Sequence, residues 1–308
     1  MQFFYRIFYS RFINIIYRNL LYPLRSILPT NMKIPVTGVL NIKEPSSDLA
    51  ISFYSNESCP MVRILYWEEN GFSFEFSPIF KQLITQCDGF IDIGANVGYY
   101  SLLAAKLNPK VAITSFEPSK GPLYFLTKNV SLNELTSIKV VDYAIGSENG
   151  TISFYEEKNL KYPYLQHHAS GIGNTINSWG IDNFAKYDVK LTTLDAFLEN
   201  NPMAKVDLIK MDTEGTENKI IEGALATIKT HQPIIICEVL FGKIEQQMDE
   251  LLQTLTNYKI FQFMSSTKKL VEVASLSSST TKADVDTNFF FVPEHKVAMI
   301  QPFVQEKS

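Results

Sequence analysis

The chain reads as an α/β protein: a mostly parallel sheet with an antiparallel last strand, preceded by an N-terminal helix and a small strand-rich extension. Two observations predict this. From residue 90 onward, apolar runs of strand length alternate with longer stretches of helix-forming composition, as in successive βαβ units. The first run, Phe90 to Ile93, also breaks into the glycine turn Gly94-Ala-Asn-Val-Gly98 before the helical Tyr-Tyr-Ser-Leu-Leu-Ala-Ala-Lys-Leu. Buried strand, glycine turn and helix open a nucleotide-binding unit, where a ligand meets backbone N–H groups at the helix start. Gly94 and Gly98 are expected to remove side chains that would block that approach. Asn96 stands where many such turns carry a third glycine, and Asn tolerates positive φ better than most residues.

Taken in order, residues 1–31 form a basic, aromatic helix that ends before Pro23, with arginines but no acid. Arg11, Asn14 and Arg18 share a narrow stripe on it. Arginines interrupt every long apolar run, so it does not span a membrane, and it lacks the compact apolar region and exit site of a signal peptide. Two roles are open: a helix lying at a membrane surface through residues 1–22, or one packed on the catalytic domain or a second copy. Residues 32–80 read as an extension of short antiparallel strands at 39–42, 49–54, 62–67 and 72–76, with Trp67 in local core.

Residues 81–295 carry the main domain. Strand 90–94 and helix 98–107 precede strand 111–116 and helix 120–131. Strand 138–145 is expected to form a hairpin with 151–155 through Asn149-Gly150. From 156 to 190 the periodicity fades, with Gly171, Gly173, Gly180, His167 and His168 present; so long a connection reads as a lid over the site. Strand 206–211, helix 216–230, strand 233–240, helix 243–256 and strand 258–264 follow. A polar loop at 276–281 leads to a final antiparallel strand at 288–292, and 296–308 is a tail.

The chemistry-bearing residues fall at strand ends. Glu117 lies nineteen residues after Gly98, near the spacing at which an acid meets a ribose diol in such folds. The competing role is a helix N-terminal acid. Asp142 ends the third strand, where an adenine edge is read. Phe-Ile-Asp-Ile-Gly-Ala-Asn-Val-Gly-Tyr-Tyr-Ser at 90–101, Phe-Glu-Pro at 116–118, Ala-Ile-Gly at 144–146, Leu-Thr-Thr-Leu-Asp at 191–195 and Ile-Lys-Met-Asp-Thr-Glu-Gly-Thr-Glu at 209–217 occur in that order. Together they resemble the FkbM family of S-adenosylmethionine-dependent methyltransferases. The likeness runs from about Phe76 to Pro293. One departure is Thr213, where the family more often has an aliphatic residue between the acids.

The resemblance implies a Rossmann-like class I methyltransferase sheet and S-adenosyl-L-methionine as cofactor. It implies that Asp92, Gly94, Asn96, Gly98 and Ser101, then Glu117, then Asp142 and Ala144 hold that cofactor's methionine, ribose and adenine parts. It also implies O-methylation of a hydroxyl on a sugar, glycolipid or secondary metabolite. An alcohol is a poor nucleophile while it keeps its proton, so a base is expected. Asp212 is the first candidate by position, with Glu214 and Glu238 behind it. The alternative for Asp212 is that it orients the cofactor's amino group or caps the helix that follows. Mg²⁺ among these carboxylates is possible but not expected. His167 or His168 could act as base from the lid, although a plain surface role competes; Asn174 could bond a hydroxylated substrate, and His231 closes a helix.

Composition narrows the class. The 308 residues are 45% hydrophobic and 19% charged, which suits a sizeable core rather than disorder. A formal charge of −4 gives no reason to expect nucleic acid. Cys59, Cys87 and Cys237 are odd in number and without metal-ligand spacing, as in reduced thiols of a cytoplasmic protein. A nicotinamide-dependent dehydrogenase shares the βαβ opening, and Tyr124-x-x-x-Lys128 matches its catalytic spacing. That pair falls too early in the chain to reach a nicotinamide. A non-catalytic binding module is the other alternative.

Overall fold

The computed structural model describes residues 6–305 except positions 8, 46, 69–71, 158–161, 163, 170–183, 243 and 279–285. Helix α1 (Arg11–Leu21) leads to an antiparallel hairpin, β1 (Gly38–Lys43) and β2 (Ala50–Ser55), with Gly38 opposite Ser55. The strands expected at 62–67 and 72–76 do not form. Helix α2 (Pro60–Trp67), a turn and helix α3 (Ser77–Ile84) stand there instead. Pro60 and Pro78 sit in the first turns, where a missing N–H costs nothing. Buried Val62 and Leu65 lie three apart, and buried Ile79, Phe80, Leu83 and Ile84 share one helical face. Trp67 is core, its indole N–H donating to the Ile34 carbonyl at 2.8 Å.

The main sheet begins with β3 (Gly89–Ile93), buried along its whole length, as a strand covered on both faces should be. Helix α4 (Tyr99–Leu107), β4 (Ala112–Phe116), α5 (Lys120–Leu132) and β5 (Ile138–Val141) follow. Two α5 side chains reach back to the hairpin. Asn133 accepts from the Ser52 N–H at 2.9 Å and donates to the Ser52 carbonyl at 2.7 Å, while Asn129 accepts from the Tyr54 N–H at 2.7 Å.

The expected strand 138–145 stops at Val141 and resumes as β6 (Ala144–Ile145), which pairs with β8 (Phe184–Thr192). β7 (Gly150–Glu157) also pairs with β8, giving a small sheet in the order β6-β8-β7. The expected hairpin of 138–145 with 151–155 is therefore replaced. Asn149 shows why: its side-chain oxygen accepts from the Thr192 hydroxyl at 2.8 Å and the Thr193 N–H at 3.2 Å, tying the turn to the end of β8. The described ends of the expected lid are thus strands.

After α6 (Leu194–Asn200) and β9 (Leu208–Met211), the single helix expected at 216–230 is two, α7 (Glu217–Glu222) and α8 (Leu225–His231). The break is at Gly223, where a Cβ would lie 2.0 Å from the Gly146 carbonyl oxygen. Asp195 then accepts from the Ala226 and Thr227 N–H groups at 3.0 and 2.8 Å at the start of α8. β10 (Ile234–Glu238), α9 (Glu245–Thr254), β11 (Tyr258–Met264), β12 (Lys269–Val273) and β13 (Asn288–Pro293) complete the sheet, followed by α10 (Val297–Ile300).

The eight strands run β12-β11-β13-β10-β9-β3-β4-β5. β10, β9, β3, β4 and β5 are parallel neighbours, whereas β13 is antiparallel to both β10 and β11. β12, an antiparallel edge strand, adds a second reversal that the sequence did not suggest. The tail is docked: Gln305 donates its N–H to the Leu270 carbonyl at 2.8 Å and Ile300 is buried. Alternate residues feed two cores. Phe90, Leu208, Ile236 and Phe290 face α3, α4 and the hairpin, and Ile91, Ile209, Ile235 and Phe291 face α7, α8 and α9.

Candidate active site

The carboxyl ends of β3, β4, β5 and β9 converge on a cavity of about 220 Å³. Gly94, Asn96, Glu117, Ala144, Asp212 and Glu214 all line it. The glycine turn is shaped by the protein itself. Gly94 has φ +76°, and a Cβ there would lie 2.0 Å from the Asp212 carbonyl oxygen; at Gly98, φ +90°, it would meet the Leu126 side chain. Asn96 takes the left-handed conformation at φ 52°, as its place in the turn predicts. Asn129, buried in α5, donates to the Val97 carbonyl at 2.8 Å and pins the turn from behind.

Glu117 is held by backbone donors on both oxygens, from Asn96 and Ser119, each at 2.8 Å. Burial nonetheless pushes its carboxyl up to about 7, outweighing those two bonds. The Ser119 hydroxyl adds a third bond, which leaves one of the carboxylate's four acceptor sites for a ligand. Asp142 does not join this group. It is exposed and borders a separate depression with Lys139 and Asn201, leaving Tyr143 and Ala144 at the cavity.

Asp92, Gly98 and Ser101 stand behind the lining. Asp92 is fully buried, accepts from the Ser101 hydroxyl at 2.6 Å and faces the Lys210 ammonium at 3.8 Å. Burial raises its carboxyl, and Lys210 and Ser101 offset that only in part. Lys210 reaches Asp212 at 3.3 Å on its other side. Burial alone would lower the ammonium, but Asp212 and Asp92 outweigh it and hold it up at about 12.

Asp212 is half-exposed at the end of β9 and shares a side-chain hydrogen bond with Glu238 at the end of β10. Burial first, and the Asp212 charge second, push Glu238 up to about 8. The Thr287 hydroxyl donates to Glu238 at 3.1 Å, and Thr287 also lines a second cavity of about 350 Å³ between α2 and β13, bordered by Glu75 and Lys268. Glu75 is raised by burial and by Asp212.

The loop after Asp212 is organised by Glu217. This buried carboxylate accepts from the Thr213 N–H at 2.7 Å, the Thr213 hydroxyl at 2.8 Å and the Gly215 N–H at 3.3 Å. Glu214 is thereby held at φ 64° on the cavity rim. Thr213, the departure noted in the sequence, uses its hydroxyl in this network. Glu217 sat in the quoted motif without a role; its place three residues beyond Glu214, at a helix start, was the available signal.

Other candidates lie elsewhere. His167 stacks on Tyr124 with ring centroids 3.8 Å apart, on the side of α5 facing β2, and lines neither cavity. Tyr124 and Lys128, bonded at 3.1 Å, pack there too, with Lys128 over the Tyr54 ring. The His168 carbonyl abuts Gly121, and His231 ends α8. Asn174, with Gly171, Gly173 and Gly180, falls outside the described residues. Among the described residues no three His, Cys, Asp or Glu side chains are arranged to hold a metal ion.

A sheet with a reversed strand between β10 and β11, and a cavity over the carboxyl ends of its parallel strands, defines the Rossmann-like class I methyltransferase fold. Residues 92–260, more than half the chain, match the methyltransferase FkbM domain, and the chain belongs to that family. It is 28% identical over 155 residues to "Methyltransferase sdnD" of Sordaria araneosa, covering 43% of this chain and 59% of that protein. It is 25% identical over 142 residues to "2-O-methyltransferase NoeI" of Sinorhizobium fredii, covering 45% and 58%. The chain thus spans less than two thirds of the curated relatives it matches. Among solved structures, methyltransferase FkbM from Methylobacillus flagellatus aligns with TM-score 0.41 and 16% identity over 67% of this chain and 43% of that one. An O-methyltransferase from Bacillus cereus in complex with SAH aligns with TM-score 0.38 and 14% identity over 69% and 78%.

Proposed function

We propose that this methyltransferase uses S-adenosyl-L-methionine to methylate a hydroxyl on a sugar, glycolipid or secondary metabolite. The observation that carries the reading is one cavity bounded by the Glu117 carboxylate on one side and by Asp212, with its partner Glu238, on the other. The residues suit the cofactor. Glu117 is fixed by two N–H donors and the Ser119 hydroxyl with an acceptor site to spare for a ribose diol, and Ala144 lines the cavity with only a methyl group where a flat base would approach. When bound, the cofactor supplies a methyl group on a sulfonium, already a good leaving group.

The chain's own residues would then align the acceptor and take its proton. Alignment has a ceiling on the order of 7–11 kcal/mol. Asp212 is the base in this reading, with Lys210 below it and Glu238 sharing its proton; Glu214 faces the acceptor from the rim. Glu238, raised to about 8 by burial and by the Asp212 charge, keeps its proton in the hydrogen bond to Asp212 below that pH. The second cavity, which Glu238 reaches through Thr287, is the acceptor's side of the pair. The printed name of the Sinorhizobium relative supports oxygen as the acceptor atom.

Calorimetry with S-adenosylhomocysteine tests the cofactor, with NADH and EDTA as controls. Micromolar binding of S-adenosylhomocysteine alone supports the reading, and transfer of labelled methyl to glycan and glycolipid acceptors would extend it. No binding would leave a retained fold acting as a binding module.

A further inference from the structure

We infer that the N-terminal helix docks this protein on an anionic lipid surface through an apolar stripe that the fold turns outward. Amphipathic helices at protein surfaces ordinarily bury their apolar residues; α1 packs Tyr17 and Leu21 against the core but leaves a second apolar stripe outward. Its one buried residue is Asn14, which donates to the Pro35 carbonyl at 2.9 Å and accepts from the Thr37 N–H at 3.0 Å. Arg18 donates to the Thr37 carbonyl at 2.8 Å, and Arg11 lies against Gly38. The polar stripe is thus the attachment to β1. On the opposite side Phe12, Ile16 and Leu20 recur every four residues and are 74%, 46% and 70% exposed. The chain continues the face with Leu24 and Ile27, 46% and 77% exposed. Isolated exposed apolar residues are ordinary, but three in register on one helix face, with two more in the turns that follow, mark an interaction surface.

Charge selects the occupant. The first 43 residues hold six Lys and Arg and no Asp or Glu, in a chain whose formal charge is −4. Arg6 and Arg25 flank the helix at its two ends, outside the stripe that holds β1. An anionic bilayer accepts both features: apolar side chains enter the acyl boundary, and basic residues meet lipid phosphates. No helix among the described residues is long and apolar enough to cross a membrane, so the contact is peripheral.

The inference is independent of the methyl acceptor, and its test does not use turnover. The full chain is sedimented with vesicles of phosphatidylcholine alone, and with vesicles of phosphatidylcholine mixed with phosphatidylglycerol. Binding to the mixed vesicles, weakened by salt, is expected. Phe12→Ser, Leu20→Ser and Ile27→Ser should each lower partition by roughly tenfold. Because all three side chains project outward, the variants' melting temperatures should stay within a few degrees of the parent's. No binding to mixed vesicles, or equal binding by the combined variant, overturns the inference. So does a concentration-dependent dimer in light scattering that the combined variant dissolves.

Discussion

The Asn96 backbone N–H meets the Glu117 carboxylate at 2.8 Å, so the glycine turn and the second strand tip are joined before any ligand arrives. Burial holds Glu117 at about 7 against an ordinary 4.5. A ribose diol needs the ionised form, so affinity for S-adenosylhomocysteine should rise with pH up to about 7 and level off above it. Glu117→Ala should weaken binding by roughly tenfold or more, consistent with loss of charged hydrogen bonds. Calorimetry from pH 5.5 to 8.5 measures both; a flat profile with unchanged affinity in the variant would remove Glu117 from the cofactor site.

The same shift predicts a stability slope. A carboxyl raised in the folded state contributes stability fully below its unfolded value of 4.5, and loses it as pH rises through 7. Unfolding free energy should therefore decline across that window, and Glu117→Gln should flatten the decline whatever its absolute stability. Urea melts at pH 5, 6, 7 and 8 provide the comparison.

Asp212 and Glu238 predict a rate profile. Turnover should climb toward pH 8 as Glu238, raised to about 8, gives up its proton beside Asp212. Glu238→Gln should lose that limb while retaining cofactor binding. Asp212→Asn should cut kcat by roughly 10²–10⁴-fold with cofactor affinity roughly kept. Equal loss of both would make Asp212 a cofactor ligand.

Lys210 is a structural test. Lys210→Met would leave buried Asp92 facing no cation, which costs about 3–5 kcal/mol. Denaturant melts should show that loss, and a paired Asp92→Asn change should restore part of it.

Gly94→Ala should damage the site without changing a catalytic side chain. Its Cβ would lie 2.0 Å from the Asp212 carbonyl oxygen at φ +76°, so β3 and β9 must part. Reduced melting temperature together with weakened S-adenosylhomocysteine binding is the expected result.

Sequence reasoning placed the strands whose residues alternate between two buried faces, because their apolar runs carry the period directly. It located Asn96, Glu117 and Asp212 because strand ends in parallel sheets fall in register. It missed what depends on distant partners. β8 does alternate Tyr187, Val189 and Leu191 with exposed Lys186, Asp188 and Lys190, but it lay inside the stretch read as a lid, and the break at Gly223 is set by Gly146, far away in sequence. Val62 to Trp67 was misread because a short apolar run fits strand or helix equally well. Lys210, inside a quoted motif, drew no notice, since only the folded chain shows it between two acids. Asp142 stood at the expected strand tip but turns away, an orientation that spacing does not encode.

Asn133 gives Ser52 one acceptor and one donor, just as a neighbouring strand would. A side-chain amide therefore occupies the place on β2 where a foreign peptide could add itself. Together with Asn129, which accepts from the Tyr54 N–H, it shields the hairpin from edge-to-edge polymerisation. Asn133→Leu would leave the Ser52 N–H and carbonyl open to a foreign strand while leaving every catalytic carboxylate in place.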